Sequence, residues 1–243
     1  MSTASITLYS MRVRRSNPYQ QSYIAFQKYI QGQSFSLRDY LFLGKDFFPS
    51  SIEGLIRYIP GPLGMLIRRV YYKFALAHLG SNVLIDVGVF LIGSKNISIG
   101  DYTWIDTNVR LEAMLGRIEI GSRVHVAANV IIGARESVII GDFAAIAAGA
   151  KIYANSEVPL PGLHMSGPMI PEQHKSFRSR RIELGKDSVV GANAVLLPGA
   201  NLGEGSIIGA LSLLNKSVPD WEIWAGTPAK KVADRPNQPF AFN

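Results

Sequence analysis

Four histidines, His78, His125, His164 and His174, are the side chains of this chain whose unperturbed titration falls near neutral pH, and there is no cysteine. Such a side chain can take a proton from a hydroxyl or an amine near neutral pH, and loss of a true general base costs roughly a hundred- to ten-thousand-fold in rate. The lack of cysteine excludes a cysteine nucleophile, a thiolate zinc site and a structural disulfide, and it fits a reducing compartment. His125 lies between Val124 and Val126, and further on the chain reads Phe143-Ala144-Ala145-Ile146-Ala147-Ala148-Gly149-Ala150. If those stretches stack, small side chains leave room for a ligand beside the imidazole. His164 is the rival base, in a Pro- and Gly-rich stretch that opens Ala154-Asn155-Ser156-Glu157-Val158-Pro159. His78 reads as a structural residue at the end of a helix, and His174 as a polar loop residue.

These residues must be positioned by a repeat. An aliphatic side chain recurs every six positions at Ile99, Ile105, Leu111, Ile120, Val126, Ile132, Ile140, Ile146, Ile152, Leu184, Val190, Leu196, Leu202, Ile208 and Leu214. Two residues before each stands a second small or aliphatic side chain, such as Ile97, Thr103, Val124, Ala144 or Ser188. Positions two apart on a strand face the same way, so both members of each pair point inward. The following residue is mostly Gly, Ala or acidic, and Gly is expected to supply the freedom that each corner needs. Three flat sides of about six residues close a triangular coil, and stacked coils pair each strand above and below. The expected fold is an all-β solenoid, a left-handed parallel β-helix over 81–217. A β-sandwich does not hold a six-residue register through fifteen positions. Insertions at Leu115 to Arg117 and at Glu136 and Ser137 fall between triplets of repeats.

The repeat stops after Ile152 and resumes in phase at Leu184, which predicts an extruded loop at about 156–181. Pro159, Pro161, Gly162, Gly167, Pro168 and Pro171 make it a stiff arm, closed by Arg178, Arg180 and Arg181. It reads either as a functional loop or as one that only packs on a neighbouring subunit.

The 243-residue chain carries a net charge of +7, and residues 1–80 hold all of the excess, with ten Lys and Arg against Asp39, Asp46 and Glu53. This segment, which includes Arg12, Arg14 and Arg15, lacks the repeat and reads as mainly helical. Between Ser51 and Leu79, Ile52, Leu55, Ile56 and Ile59 and then Leu63, Ile67, Val70 and Phe74 recur at helical spacing, interrupted by Pro60-Gly61-Pro62. Arg57, Arg68, Arg69 and Lys73 decorate it. Two readings stand open: peripheral contact of residues 51–79 with an anionic membrane surface, and a helical cap over the end of the β-helix. No nucleic-acid-binding module accompanies the charge. Met1 to Asn17 is polar and basic, so no signal peptide is expected, and no apolar run reaches roughly 18 residues, so no spanning helix is expected. A cytoplasmic location, at most peripheral to the membrane's inner face, follows as the expectation.

The repeats, the arm, Val189-Val190-Gly191-Ala192-Asn193, Leu197-Pro198-Gly199, Gly209-Ala210-Leu211-Ser212 and the final Trp224-Ala225-Gly226-Thr227-Pro228-Ala229-Lys230 together resemble the hexapeptide-repeat acyltransferase superfamily. The likeness is to sugar O-acetyltransferases of the maltose, galactoside and polysaccharide-biosynthesis type. Val124-His125-Val126-Ala127 and Tyr58-Ile59-Pro60-Gly61-Pro62-Leu63-Gly64 are similar to stretches of the polysaccharide members. The resemblance implies a homotrimer with active sites between neighbouring β-helices, and acetyl-CoA as donor. It also implies a saccharide or nucleotide-sugar acceptor in surface-polysaccharide biosynthesis. It nominates Ala210 and Ser212 for backbone and hydroxyl contacts to the cofactor, Gly226 for close approach and Lys230 for the CoA phosphates. In the maltose and galactoside enzymes the catalytic histidine stands early in the loop, where this chain has none. The base is therefore His164 from further along, or His125 with Glu157 orienting it.

O-acetylation of a saccharide and N-acetylation of a nucleotide-linked amino sugar share this fold and donor. A γ-type carbonic anhydrase needs three metal-binding histidines from adjacent coils, and the β-helix offers His125 alone, so no metal is expected. A non-catalytic scaffold would require neither the arm nor the Trp224 to Lys230 tail. Residues 1–80 are too short for a fused nucleotidyltransferase and carry no glycine-rich nucleotide loop.

Overall fold

The computed structural model describes residues 25–165, 170 and 174–237. Arg12, Arg14, Arg15, Gly167, Pro168 and Pro171 lie outside them. The chain is a left-handed parallel β-helix of about seven turns, preceded by helices. The first side stacks His78–Leu79, Ile97–Ile99, Arg117–Ile120, Ser137–Ile140 and Ile182–Leu184. The second stacks Leu84–Ile85, Trp104–Ile105, His125–Val126, Ala145–Ile146, Val189–Val190, Ile207–Ile208 and Glu222–Gly226. The third stacks Phe90–Ile92, Arg110–Glu112, Ile131–Gly133, Lys151–Tyr153, Val195–Leu196 and Leu213–Leu214.

All fifteen aliphatic residues of the six-residue series are inside, none more than 4% exposed. Their partners two residues earlier, including Thr103, Ser188, Ser206 and Ser212, are buried beside them. Thr103 Oγ1 reconciles its polarity with that place by donating to Gly121 O at 2.9 Å.

The corners follow a rule the glycine pattern does not convey. The left-handed φ at many of them belongs to residues other than Gly, among them Asn82, Tyr102, Asn108, Arg123, Asn129 and Phe143. The glycines that follow the inward aliphatics do not have positive φ; they are small because the next coil is close. A Cβ on Gly100 would stand 2.6 Å from Gly121 C, and one on Gly185 2.6 Å from Glu204 N.

Strand pairing begins at His78, which pairs with Ser98, so His78 lies on a strand and not at a helix end. Arg117 and Ser137 open two four-residue strands paired in register, so these insertions lengthen the first side. The last residues are not a separate tail: Glu222–Gly226 adds to the second side and turns antiparallel into Ala229–Asp234.

Helix α1, Leu37–Arg57, starts at a capping box in which Ser36 and Asp39 satisfy each other's backbone N–H groups. Helix α2, Gly61–Ala75, begins after the Pro60 break and has Pro62 in its first turn, where no N–H is needed. It docks through Gly64, Arg68 and Tyr72, not through the apolar stripe that its sequence spacing suggests. Fully buried Arg68 explains this: Nε donates to Ile85 O at 2.9 Å, and Nη1 to Ile59 O at 2.7 Å and Ile56 O at 3.2 Å. One guanidinium thus ties the end of α1 to the first coil. Arg57 adds a contact over the Phe90 ring at 4.1 Å. Among the described residues no helix is long and apolar enough to cross a membrane.

Candidate active site on the second side

His125 projects outward from the second side with its side chain half exposed. The register places Trp104 beside it on the preceding coil and Ala145 on the following one. The Trp104 and His125 rings lie 5.3 Å apart and tilted by 35°, while Ala145 leaves the opposite side open. The carboxylate that meets the imidazole is Asp106, with Oδ2 3.8 Å from Nε2. Its Oδ1 accepts the Thr107 N–H at 2.6 Å, which limits the swing of the side chain. Neither Asp106 nor Trp104 is marked as a site residue by its type alone. The signal was there, since each lies about one coil before His125 in the repeat.

Around this group the outward face of the second side is apolar. Leu84, Trp104, His125, Ala145, Val189, Ile207 and Ile223 form one continuous register column, with His125 its one ionisable member.

Glu157 and His164 stand elsewhere. The expected arm is an antiparallel hairpin pairing Asn155–Glu157 with Phe177–Ser179, and Glu157 is opposite Phe177. It extends through Val158 N to Ser176 O at 2.9 Å and His164 N to His174 O at 3.0 Å. Both histidines are exposed on it. The carboxylate found beside His125 on the second side is Asp106, while Glu157 is on the hairpin.

Three of the four residues nominated for the cofactor meet at the C-terminal corner. Ser212 Oγ accepts the Gly226 N–H at 2.9 Å and lies 3.4 Å from Ala210 O. Ser212 is 1% exposed, so its hydroxyl holds the final hairpin in place and is not presented to solvent. Gly226 has φ +101°, open to Gly and strained for other residues. Lys230 is exposed on the hairpin, opposite Ala225. Beside it Glu222 accepts from the Trp224 indole at 2.7 Å and Lys231 at 2.9 Å, and these bonds hold its carboxyl below the usual range. Among the described residues no group of three or more His, Asp or Glu is arranged to hold a metal ion.

A family model described as the hexapeptide repeat of succinyl-transferase matches residues 181–210. The chain is 32% identical to a dTDP-4-amino-4,6-dideoxy-D-glucose acyltransferase of Escherichia coli over 157 residues, which cover 65% of this chain and 81% of that protein. It belongs to the hexapeptide-repeat acyltransferases. Another relative of this hexapeptide-repeat acyltransferase is the putative lipopolysaccharide biosynthesis O-acetyl transferase WbbJ of Escherichia coli K12. It is 29% identical, over 74% of this chain and 89% of that one. Among solved structures AntD, an N-acyltransferase from Bacillus cereus in complex with dTDP and 3-hydroxybutyryl-CoA, superposes with a TM-score of 0.65 at 31% identity. The match covers 70% of this chain and 88% of AntD.

Proposed function

We propose that this hexapeptide-repeat acyltransferase moves an acetyl group from acetyl-CoA to a hydroxyl of a saccharide, with His125 as general base and Asp106 as the residue that positions it. The supporting observation is the His125–Asp106 pair, open to solvent between an indole wall and an alanine gap. With the Nε2 proton turned to Asp106, Nδ1 is left to accept the acceptor's hydroxyl proton. The alkoxide oxygen bonds to the thioester carbonyl carbon, the C–S bond breaks, and the imidazolium returns the proton to the departing CoA sulfur. The tilted Trp104 ring offers an apolar face for the C–H side of a sugar.

The apolar column of the second side supports a homotrimer in which these faces pack and the clefts between copies receive the two substrates. The arm carrying His164 and Glu157 then has a neighbouring subunit to reach. Ala210 and Gly226 offer backbone to acetyl-CoA, and Lys230 its charge to the CoA phosphates. Dependence on acetyl-CoA fits a cytoplasmic site of action.

A second reading has its own support. The similarity to the dTDP-4-amino-4,6-dideoxy-D-glucose acyltransferase and to AntD favours an amino group on a nucleotide-linked sugar as acceptor.

The test follows CoA release from acetyl-CoA with a panel of saccharides, nucleotide sugars and nucleotide-linked amino sugars, for wild type, His125→Ala and His164→Ala. Stimulation by hydroxyl acceptors that His125→Ala abolishes supports the first reading. Stimulation by amino sugars alone selects the second. Activity lost in His164→Ala and kept in His125→Ala transfers the base to the arm.

A further inference from the structure

Helix α2 presents two faces of different chemistry, and among the described residues only one is packed against the rest of the fold. Gly64, Arg68 and Tyr72 are buried against α1 and the first coil. On the outer face Leu63, Leu66, Val70 and Phe74 form an apolar stripe at spacings of three and four, each between 62% and 74% exposed. Leaving four such side chains in water forgoes the stabilisation that burial would supply, so the stripe is suited to a partner.

The border of the stripe indicates which partner. Arg69 and Lys73 precede Val70 and Phe74 by one residue each, about 100° round the helix. They line a cavity of about 240 Å³ together with His78, Gly80, Ser81 and Asp101, where the helix meets the first coil. Arg69 Nη1 donates to Val83 O at 3.2 Å, which fixes the guanidinium at the rim. An apolar stripe edged on one side by two cations that open into a polar cavity matches the boundary of an anionic bilayer: acyl chains below, phosphate headgroups beside them.

We propose that α2 is a peripheral membrane-docking element. Its Leu63–Leu66–Val70–Phe74 stripe enters the acyl boundary of an anionic lipid surface, and a lipid phosphate sits in the Arg69–Lys73 cavity. A second copy of this chain fits the face less well, because a symmetric contact along α2 would bring Arg69 and Lys73 towards their own counterparts. The lipid surface supplies the opposite charge. Docking of this kind would hold the enzyme where a membrane-borne acceptor is found, although the inference itself does not depend on the acyl-transfer reading.

The experiment sediments the full chain with vesicles of phosphatidylcholine alone and of phosphatidylcholine mixed with phosphatidylglycerol, at low and high salt. The expected result is binding to the mixed vesicles that salt weakens. Arg69→Gln with Lys73→Gln lowers the partition coefficient roughly 30-fold. Leu66→Ser with Val70→Ser and Phe74→Ser lowers it by at least about tenfold. Leu66, Val70, Lys73 and Phe74 are exposed and Arg69 is half-buried at the cavity rim, and an unchanged thermal unfolding profile confirms intact variants. The proposal is overturned if the wild-type chain stays in the supernatant with both vesicle types, or binds both equally. It is overturned as well if the serine variant binds vesicles normally while its sedimentation velocity shows a smaller oligomer, because a second copy then covers the stripe.

Discussion

Asp106 Oδ2 stands 3.8 Å from Nε2 of His125, across one step of the second side of the β-helix. The parallel register pairs Ile105 with Val126 and Trp104 with His125, so the residue after Ile105 projects at the corner beside the imidazole. The pair arises from the stacking of consecutive coils.

If this carboxylate positions the base, Asp106→Asn should lower kcat by about tenfold or more and leave KM for the acceptor nearly unchanged. His125→Ala should lower kcat by roughly a hundred- to ten-thousand-fold. Steady-state kinetics with the acceptor found by the CoA-release panel reads both. An Asp106→Asn enzyme with wild-type kcat would remove Asp106 from the proposal.

Ser212 makes a prediction about binding that differs from the one its sequence setting suggests. Its hydroxyl holds Gly226 N at 2.9 Å, so Ser212→Ala leaves that N–H without its acceptor and should cost about 1–3 kcal/mol of stability. Thermal unfolding measures the cost. KM for acetyl-CoA should rise with it through displacement of Gly226, and mutating a hydroxyl that touched CoA directly would change KM without the stability loss.

Arg68→Met keeps the volume and removes every donor. The carbonyls of Ile56, Ile59 and Ile85 lose a charged partner inside the helix–coil junction. The expected loss is about 3 kcal/mol or more. Denaturant unfolding should show it, and hydrogen exchange should place the loosening in α1 and α2 before the β-helix.

Asp39 responds to acid. Lys28 and Ser36 hold its carboxyl down from 3.8 to about 2, with Nζ 2.8 Å and the Ser36 hydroxyl 2.6 Å away. A depressed folded value means that this contribution is complete above the unfolded pKa near 4 and is lost as pH falls through about 2. A carbon NMR titration of the Asp39 carboxyl should show the low midpoint, and Lys28→Met should move it back up. An ordinary midpoint in the wild-type chain would contradict the geometry.

Gly185 is small for reasons of space. Its absent Cβ would be 2.6 Å from Glu204 N on the next coil, so Gly185→Ala should cost about 1–3 kcal/mol by overpacking. Thermal unfolding checks this, with Gly162→Ala as a contrast in the arm, where no neighbour lies within 4 Å of an added Cβ but φ is +78°.

The β-helix was legible because its information is periodic. One inward aliphatic every six residues specifies the pleat, the face and the stacking register together, and all fifteen of those side chains are in the core. The same register was enough to place Ala145 beside His125. The break after Ile152 was enough to announce an arm, and Pro60-Gly61-Pro62 to divide the helices. Relations between coils were harder to read, because they depend on pairing residues about twenty apart whose own types say nothing of their partner. Asp106 looks like an ordinary corner residue until the coils stack, and Ser212 looks available until the final hairpin folds back. Helix α2 shows the limit most clearly. Its apolar periodicity specified an amphipathic helix, yet the β-helix core is already closed by its own inward aliphatics and has little need of that stripe. What α2 must satisfy at the junction are the backbone carbonyls at the end of α1 and the edge of the first coil, and a buried guanidinium does that where a leucine cannot. Local sequence therefore determined the solenoid and the existence of the helices. The tertiary structure decided which carboxylate faces His125 and which side of α2 remains exposed, because the first is set by the register of the stacked coils and the second by backbone carbonyls that come together at the helix–coil junction.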